Sequence, residues 1–152
     1  MKYEIVVPVN IGWRKSGTNI MGRGMAKEAV RMYPKIESFL GGFQKDLWDT
    51  EKPPMDDPRW IIKYPWGPLT FFPTKVLNHE KPWMSWSNKS DKETIGKLLI
   101  HLPVFANKHG LKKLAIPLLG AGNGGLDPFE MKDLIREKIG SDPRFTLVTY
   151  YL

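Results

Sequence analysis

IPLLGAGNGGLDPF, residues 116–129, is the stretch that decides the fold of this chain. It opens at the end of a short apolar run, Leu114–Pro117, which is typical of a buried strand. It closes on a helix start, with Asp127 at the N-cap, Pro128 at the first helical position and Glu130 at the third. The pattern therefore predicts a strand, a loop and a helix in immediate succession.

The loop in this stretch contains four glycines among six residues, namely Gly120, Gly122, Gly124 and Gly125. Glycine permits positive φ angles and lets a ligand approach bare backbone N–H groups. A loop of this kind that runs into a helix N-terminus, with its partial positive charge, is typical of a phosphate site. A plain connecting turn is the alternative, and this one loop does not decide between the two.

Two common phosphate motifs are not favoured. The loop has no Gly-Lys-Ser/Thr ending, which excludes a P-loop. Gly120-x-Gly122-x-x-Gly125 spells the dinucleotide fingerprint, but that motif needs an acidic residue at the end of the next strand. The next predicted strand, Phe145–Tyr151, contains no acid, so a nicotinamide-dependent dehydrogenase is not indicated.

The composition indicates one globular domain that spans residues 1–152. Hydrophobic residues make up 41% and aromatic residues 12%, which suits a packed core. The absence of cysteine excludes disulfides, thiolate metal sites and a cysteine nucleophile. No apolar run reaches the length of a membrane span, and the N-terminus lacks a signal-peptide layout. We therefore expect a cytoplasmic protein with no membrane partner.

The formal net charge of +7 favours anionic partners such as nucleotides or nucleic acid. The lysines are scattered rather than clustered, however, which is equally typical of an ordinary soluble surface. Nucleic acid therefore stays a possible partner that the charge alone does not establish.

A second strand–glycine loop–helix unit lies at the start of the chain. Tyr3–Val9 is apolar on both faces, as in a central strand. A polar loop then leads into Ile20–Ala26, which contains two glycines, and a helical pattern follows until Pro34 ends it.

The remaining pattern alternates helices and strands. Ser90 and Glu93 form a predicted capping box for a helix that is bent at Pro103 and ended by Gly110. The other predicted elements are a helix at Lys35–Leu47, a hairpin of strands at Trp60–Tyr64 and Leu69–Pro73, an irregular segment at Thr74–Asn88, a helix at Pro128–Ile139 and a final strand at Phe145–Tyr151.

This alternation predicts a three-layer α/β/α fold with a mixed central sheet, in which the hairpin supplies the antiparallel part. The two glycine loops leave the carboxyl ends of strands at Val9 and Pro117. If these strands are neighbours, both loops face one crevice, where open sheets bind ligands. Two phosphate-type loops on one crevice suggest a pyrophosphate.

These motifs, taken in order, resemble the macrodomain family. The resemblance rests on Val9-Asn10, Met21–Ala26 with Tyr33-Pro34, Phe72–Lys75 and Ile116–Leu126, which together span most of the chain. The most similar branch carries Met-Gly-x-Gly-x-Ala in its first loop. It includes ADP-ribosyl glycohydrolases, ADP-ribose-1''-phosphate phosphatases and antitoxin macrodomains that remove ADP-ribose from DNA.

The resemblance implies an ADP-ribose site without metal or cofactor. Asn10 is expected to bind the distal ribose, with Asn19 as a rival because the alignment is loose there. The two loops are expected to contact the diphosphate and distal ribose through Met21, Gly22, Arg23, Gly24, Met25, Leu119, Gly120, Ala121, Gly122, Asn123, Gly124 and Gly125.

Lys75 stands where some glycohydrolases of the family have a lysine that attacks the ribose anomeric carbon. From the residues alone, a lysine at a strand end is usually just solvated. A catalytic amine needs a pKa that burial or a nearby cation lowers. Phe71, Phe72, Trp83 and Trp86 are candidates for supplying that burial.

The chain departs from the family pattern at two positions. Where some glycohydrolases have an aspartate acid, this chain has Gly124, and Asp127 is better explained as a helix cap. A hydrolase would then need water, His79 in the loop after Lys75 or a substrate group as the acid, or Lys75 acting with different chemistry. The family's first strand and adenine contact are missing, so Trp13, Tyr150 or the backbone is expected to hold adenine.

We therefore expect an ADP-ribose-binding domain that hydrolyses ADP-ribosyl linkages at the distal ribose C1'', on DNA or protein. An ADP-ribose-1''-phosphate phosphatase, a non-catalytic ADP-ribose-binding module and a plain nucleic-acid-binding module remain alternatives. His79, His101 and His109 form no metal-ligand pattern.

Overall fold

A computed structural model describes residues 3–149 of the chain. Its five-stranded sheet has the order β2-β3-β1-β4-β5. The strands are β1 (Glu4–Asn10), β2 (Ile62–Lys63), β3 (Leu69–Lys75), β4 (Leu114–Ile116) and β5 (Phe145–Leu147). β2 pairs with β3 in antiparallel fashion and the other pairs are parallel, so the sheet is mixed, as the sequence predicts.

The register of β1 determines where the site lies. β1 is central and pairs with β3 on one side and β4 on the other, so the strands that precede the two glycine loops are neighbours. Asn10 lies opposite Lys75, directly after an irregularity in the pairing at Val9. The carboxyl ends of three parallel strands therefore meet at one edge of the sheet, where open sheets bind ligands.

Helices cover both faces of the sheet and give the three layers. Because side chains alternate along a strand, Val6 and Phe72 face one core and Val7 and Phe71 face the other. The first core lies under α3 (Lys92–Leu99), α4 (Leu102–His109) and α5 (Pro128–Ile139), and the second under α1 (Gly24–Met32) and α2 (Ile36–Glu51). The predicted three-layer fold is confirmed.

A third apolar cluster lies under the loops that follow β1 and β3. It contains Ile11, Trp13, Trp60 and Leu77, all at most 7% exposed, with Trp48 packed against them. Trp13 is therefore a core residue and does not line the ligand cleft described below. Of the three candidates for holding adenine, Trp13 is thus absent from the cleft lining and Tyr150 lies outside the described residues.

Several boundaries differ from the sequence pattern. The helix predicted from the Ser90 capping box begins instead at Lys92, and Asp91 caps it by accepting a hydrogen bond from Thr94 N at 3.3 Å. The predicted bend at Pro103 is a break between α3 and α4, and Gly110 ends α4 in the left-handed region, as expected. The irregular segment contains a 3₁₀ turn at Pro82–Ser87, which we call the tryptophan turn.

No helix within residues 3–149 is both long and apolar enough to cross a membrane.

Candidate functional site

A cleft of about 660 Å³ opens at the carboxyl ends of β1, β3 and β4. This volume is in the range of small-molecule sites in proteins. Its walls are the first loop, which runs from Ile20 to Ala26, and the glycine loop, which runs from Gly120 to Gly124. The floor and far side come from Pro8, Val9, Asn10, Thr74, Lys75, Trp86, Ser90, Pro117, Leu118 and Pro128.

The two loops approach each other closely at the mouth of this cleft. A Cβ atom built on Gly24 would lie 3.7 Å from Asn123 Nδ2, so the first loop and the glycine loop are in near contact. The first loop follows the central strand β1, and the glycine loop follows the neighbouring strand β4. The prediction that two glycine loops share one crevice is therefore confirmed.

Helices begin on both sides of the cleft without side-chain caps. α1 begins at Gly24 and α5 at Pro128, and neither the Arg23 nor the Asp127 side chain caps its helix. Asp127 does occupy the predicted N-cap position, but its carboxylate makes no capping bond. Free N–H groups and the helix dipole at both starts favour an anion in the cleft.

Loop amides add further donors. Within residues 3–149, no acceptor pairs with the backbone N–H of Gly22, Arg23, Gly122 or Asn123. Gly122 has a φ of +67° and a Cβ there would meet nothing within 4 Å. The loop is therefore open to a ligand at Gly122, and its conformation suits glycine.

Asn10 lines the cleft at the end of β1. Its Nδ2 donates to Ile20 O at 2.9 Å, which fixes the amide and ties β1 to the first loop. Within residues 3–149, the Asn10 side-chain oxygen accepts no hydrogen bond. Asn10 also lies opposite Lys75 across the β1–β3 pair.

Lys75 lies half-buried at the end of β3, where its Nζ donates to Trp86 O at 2.6 Å. Burial, and secondly the positive charge of Arg23, lower the pKa of the Lys75 amine from its usual value. Burial and a neighbouring cation each favour the neutral form of an amine. Lys75 therefore lines the cleft as a half-buried amine with a lowered pKa.

Trp86 joins the two sides of the cleft. Its carbonyl holds Lys75, and the Arg23 guanidinium lies 5.7 Å from the centroid of its ring, within cation–π range. The tryptophan turn thus brings an aromatic residue from an irregular segment to the cleft. Trp83, on the same turn, does not line the cleft and instead lies under the Lys15 amine at 5.0 Å.

The structure places four of the expected contacts outside the cleft. Asn19 is fully buried and its Nδ2 donates to Asn10 O, Gly12 O and Gln44 Oε1, so it holds the first loop rather than a ligand. Leu119 is fully buried in the core, and Gly125 ends the 3₁₀ turn at Gly122–Gly124 and faces Lys89. His79 is exposed and its ring lies 5.0 Å from that of Trp48.

The other expected residues all line the cleft: Asn10, Met21, Gly22, Arg23, Gly24, Met25, Lys75, Gly120, Ala121, Gly122, Asn123 and Gly124. Sequence reasoning did not assign Thr74 and Ser90 to the site. Thr74 had a signal, since it directly precedes Lys75 at a strand end. Ser90 had none, because its pattern is that of a helix cap.

The charged side chains that line the cleft in the described part of the chain are positive. No Asp or Glu is among its lining residues within the described part of the chain, while Arg23 and Lys75 both line it. Residues 3–149 also contain no group of three or more His, Cys, Asp or Glu side chains that could hold a metal ion. The cleft thus suits an anionic ligand held by amides and two cations.

Comparison with known proteins agrees with this geometry. No family model matches the chain. Its sequence is 26% identical over 127 residues to a Thermus aquaticus DNA ADP-ribosyl glycohydrolase, a match that covers 79% of this chain and 31% of that protein. The chain therefore spans about a third of the length of the curated relative that it matches.

Solved structures show the fold. The chain superimposes with a TM-score of 0.68 on the macrodomain of Mycobacterium tuberculosis DarG, at 22% identity, with 95% of this chain and 86% of that one covered. The macrodomain of Thermus aquaticus DarG gives 0.67 at 24% identity, with the same coverages. Thermosipho africanus DarTG in complex with ADP-ribose gives 0.68 at 21% identity, with 95% and 37% covered. The chain has a macrodomain fold.

Proposed function

We propose that this chain binds ADP-ribose in the cleft and hydrolyses ADP-ribosyl linkages at the distal ribose C1''. The observation that carries the proposal is the meeting of two glycine loops and two uncapped helix starts around one cleft, opposite Lys75. The loop amides are suited to a diphosphate, which presents several acceptor oxygens. Asn10, beside Lys75, is suited to the hydroxyls of the distal ribose.

The chemical step uses Lys75 as the nucleophile. The neutral amine forms a bond from Nζ to C1'', and the bond from C1'' to the leaving group breaks with its electron pair on that group. A proton from Nζ passes to the leaving group, so charge balances without a carboxylic acid. Water then displaces the amine at C1'', which releases ADP-ribose and restores Lys75.

We propose ADP-ribosylated DNA as the substrate class. The curated relative is named a DNA ADP-ribosyl glycohydrolase, and the net charge of +7 suits a polyanion. Arg23 is exposed at the cleft and carries a charge that a strand leaving the cleft would meet. ADP-ribosylated protein is the competing substrate that the experiment must separate.

A second candidate is a module that binds ADP-ribose without turnover. It is favoured by the absence of any carboxylate among the cleft-lining residues that the structure describes. Such a module would keep the loop amides and the affinity but leave the linkage intact. Turnover alone separates the two functions.

The experiment is calorimetry with ADP-ribose, followed by incubation with three substrates. These are ADP-ribosylated single-stranded DNA, ADP-ribosylated protein and ADP-ribose-1''-phosphate. We expect saturable ADP-ribose binding and release of ADP-ribose from the DNA substrate. Binding without release from any substrate would favour the non-catalytic module, and release of phosphate alone would favour a phosphatase.

The pH dependence of hydrolysis tests the role assigned to Lys75. Its lowered pKa means that the reactive neutral amine is reached at a lower pH than for a solvated lysine, so the rate rises with pH through that lowered value and then levels off. Arg23→Gln removes one cause of the lowering, so the pKa rises and the rising limb moves to higher pH. The measurement is kcat/KM against pH for both proteins.

The matched control for this prediction is Arg31→Gln. Arg31 is exposed on α1, pairs with Glu28 at 3.3 Å and does not line the cleft. Its replacement is expected to leave the rising limb of the kcat/KM profile at the same pH. If the rising limb of the pH profile stays at the same pH in Arg23→Gln, Arg23 does not lower the pKa of Lys75.

A further inference from the structure

Ser90 carries a hydroxyl that the structure leaves without a partner. The residue is 5% exposed and lines the cleft, yet its Oγ makes no hydrogen bond within the described residues. The sequence suggests that this hydroxyl caps α3, but Asp91 takes that role. Buried hydroxyls in folded proteins are almost always paired, so this one needs an explanation.

The position of Ser90 links the glycine loop to the strand that ends in Lys75. Its backbone N–H donates to Gly124 O at 2.9 Å, and the next N–H, that of Asp91, donates to Thr74 O at 2.9 Å. Ser90 therefore lies between the two parts of the cleft to which we assign the diphosphate and the nucleophile. A group bound between those parts would lie next to it.

Gly124 covers the hydroxyl. A Cβ atom built on Gly124 would lie 2.2 Å from Ser90 Oγ, so Ser90 fills the space that a side chain at position 124 would need. Within the 3₁₀ turn at Gly122–Gly124, the bond from Gly124 N to Ala121 O is long at 3.4 Å, while Gly124 O accepts from Ser90 N at 2.9 Å. Because the hydroxyl is buried, a ligand reaches it only when this turn moves.

We infer that Ser90 is a ligand-binding residue whose hydroxyl donates a hydrogen bond to an oxygen of the distal ribose or its adjoining phosphate once the 3₁₀ turn shifts on binding. The inference rests on the proposed ADP-ribose site. It explains why a polar group without a protein partner lies at the cleft, since the bound state supplies the partner that the unbound chain lacks. It also assigns a ligand contact to a residue whose sequence pattern indicates a helix cap.

The test combines ADP-ribose calorimetry with urea unfolding of the ligand-free protein. Ser90→Ala keeps the Cβ that packs near Gly120 and removes only the hydroxyl. We expect its ADP-ribose affinity to fall about tenfold, which is about 1.4 kcal/mol. Its stability without ligand should stay unchanged or rise, because no hydrogen bond is lost and no buried hydroxyl remains unpaired. A residue with a purely structural role would not separate these two readouts.

Asp91→Ala is the matched control on the neighbouring residue. It removes the cap of α3, so stability should fall while the affinity of the folded protein for ADP-ribose stays unchanged. If wild-type protein binds ADP-ribose and Ser90→Ala binds it with an affinity within twofold of wild type, the Ser90 inference alone is overturned. Wild-type protein that does not bind ADP-ribose would overturn the proposed function, and the inference with it.

Discussion

Lys75→Met should lose hydrolysis by on the order of a thousandfold or more while its affinity for ADP-ribose stays within a few-fold of wild type. The reason is that in the proposed mechanism only the amine supplies the lone pair that attacks C1'', whereas the amides of the two loops are expected to hold the diphosphate. Methionine keeps an unbranched side chain of similar length in the half-buried position. The measurement is single-turnover release of ADP-ribose from ADP-ribosylated DNA, beside calorimetry with ADP-ribose.

The control for this prediction is Lys112→Met. Lys112 is exposed and lies before β4, at the opposite end of the sheet from the cleft. It removes the same charge from the protein and should leave both turnover and affinity unchanged. Undiminished turnover in Lys75→Met would exclude Lys75 as the nucleophile and leave the binding proposal standing.

Gly122→Glu should weaken ADP-ribose binding by on the order of a hundredfold, which is about 2.8 kcal/mol. A side chain at this position enters open space beside the cleft, because nothing lies within 4 Å of the Cβ position. Its carboxylate would repel the diphosphate at the point where the free amides of the loop are expected to bind it. The measurement is the dissociation constant by calorimetry.

Gly110→Glu separates this effect from backbone strain. Gly110 has a φ of +64°, close to the +67° of Gly122, and a Cβ there also meets nothing within 4 Å. Both variants should therefore lose similar stability, about 1–2 kcal/mol for a left-handed non-glycine residue. Only Gly122→Glu should lose affinity, since Gly110 ends α4 away from the cleft. Wild-type affinity in Gly122→Glu would contradict the placement of the diphosphate.

Much of the fold and of the site was predictable from short stretches of the sequence. The two glycine loops and Lys75 were predictable because each lies at or after the carboxyl end of a strand, and the carboxyl ends of parallel strands meet at one edge of a sheet. The helix start at Pro128 was predictable from the same kind of local pattern. Because β3, β1 and β4 are neighbours in the sheet, these separate segments meet at one cleft.

Side-chain roles that depend on distant partners were not predictable. Asn19 and Asn10 are equivalent as residue types, but the Asn19 side chain donates to Gln44 Oε1 on α2, 25 residues away, whereas Gln44 donates to the backbone oxygen of Asn10, 34 residues away. Buried among those partners, Asn19 cannot face a ligand. His79 followed Lys75 in sequence, but the chain turns after β3 and places its ring against Trp48.

The N-cap of α3 also depends on a distant contact that the local sequence does not show. Ser90 and Asp91 are both good N-cap residues, and the sequence pattern Ser-x-x-Glu favours Ser90. In the structure, the Ser90 backbone is bound to Gly124 of the glycine loop, so the helix starts one residue later and Asp91 caps it. A contact with a loop 34 residues away thus decides a local choice and leaves the Ser90 hydroxyl at the cleft.

The most direct test of the central claim is an NMR titration of ¹⁵N-labelled protein with ADP-ribose. If both loops bind one diphosphate, the amide signals of residues 22–25 and 120–124 should shift together and give one dissociation constant. Amides at the far end of the sheet, such as that of Lys112, should stay in place. Shifts in only one loop, or different dissociation constants for the two, would contradict the account of a single site between them.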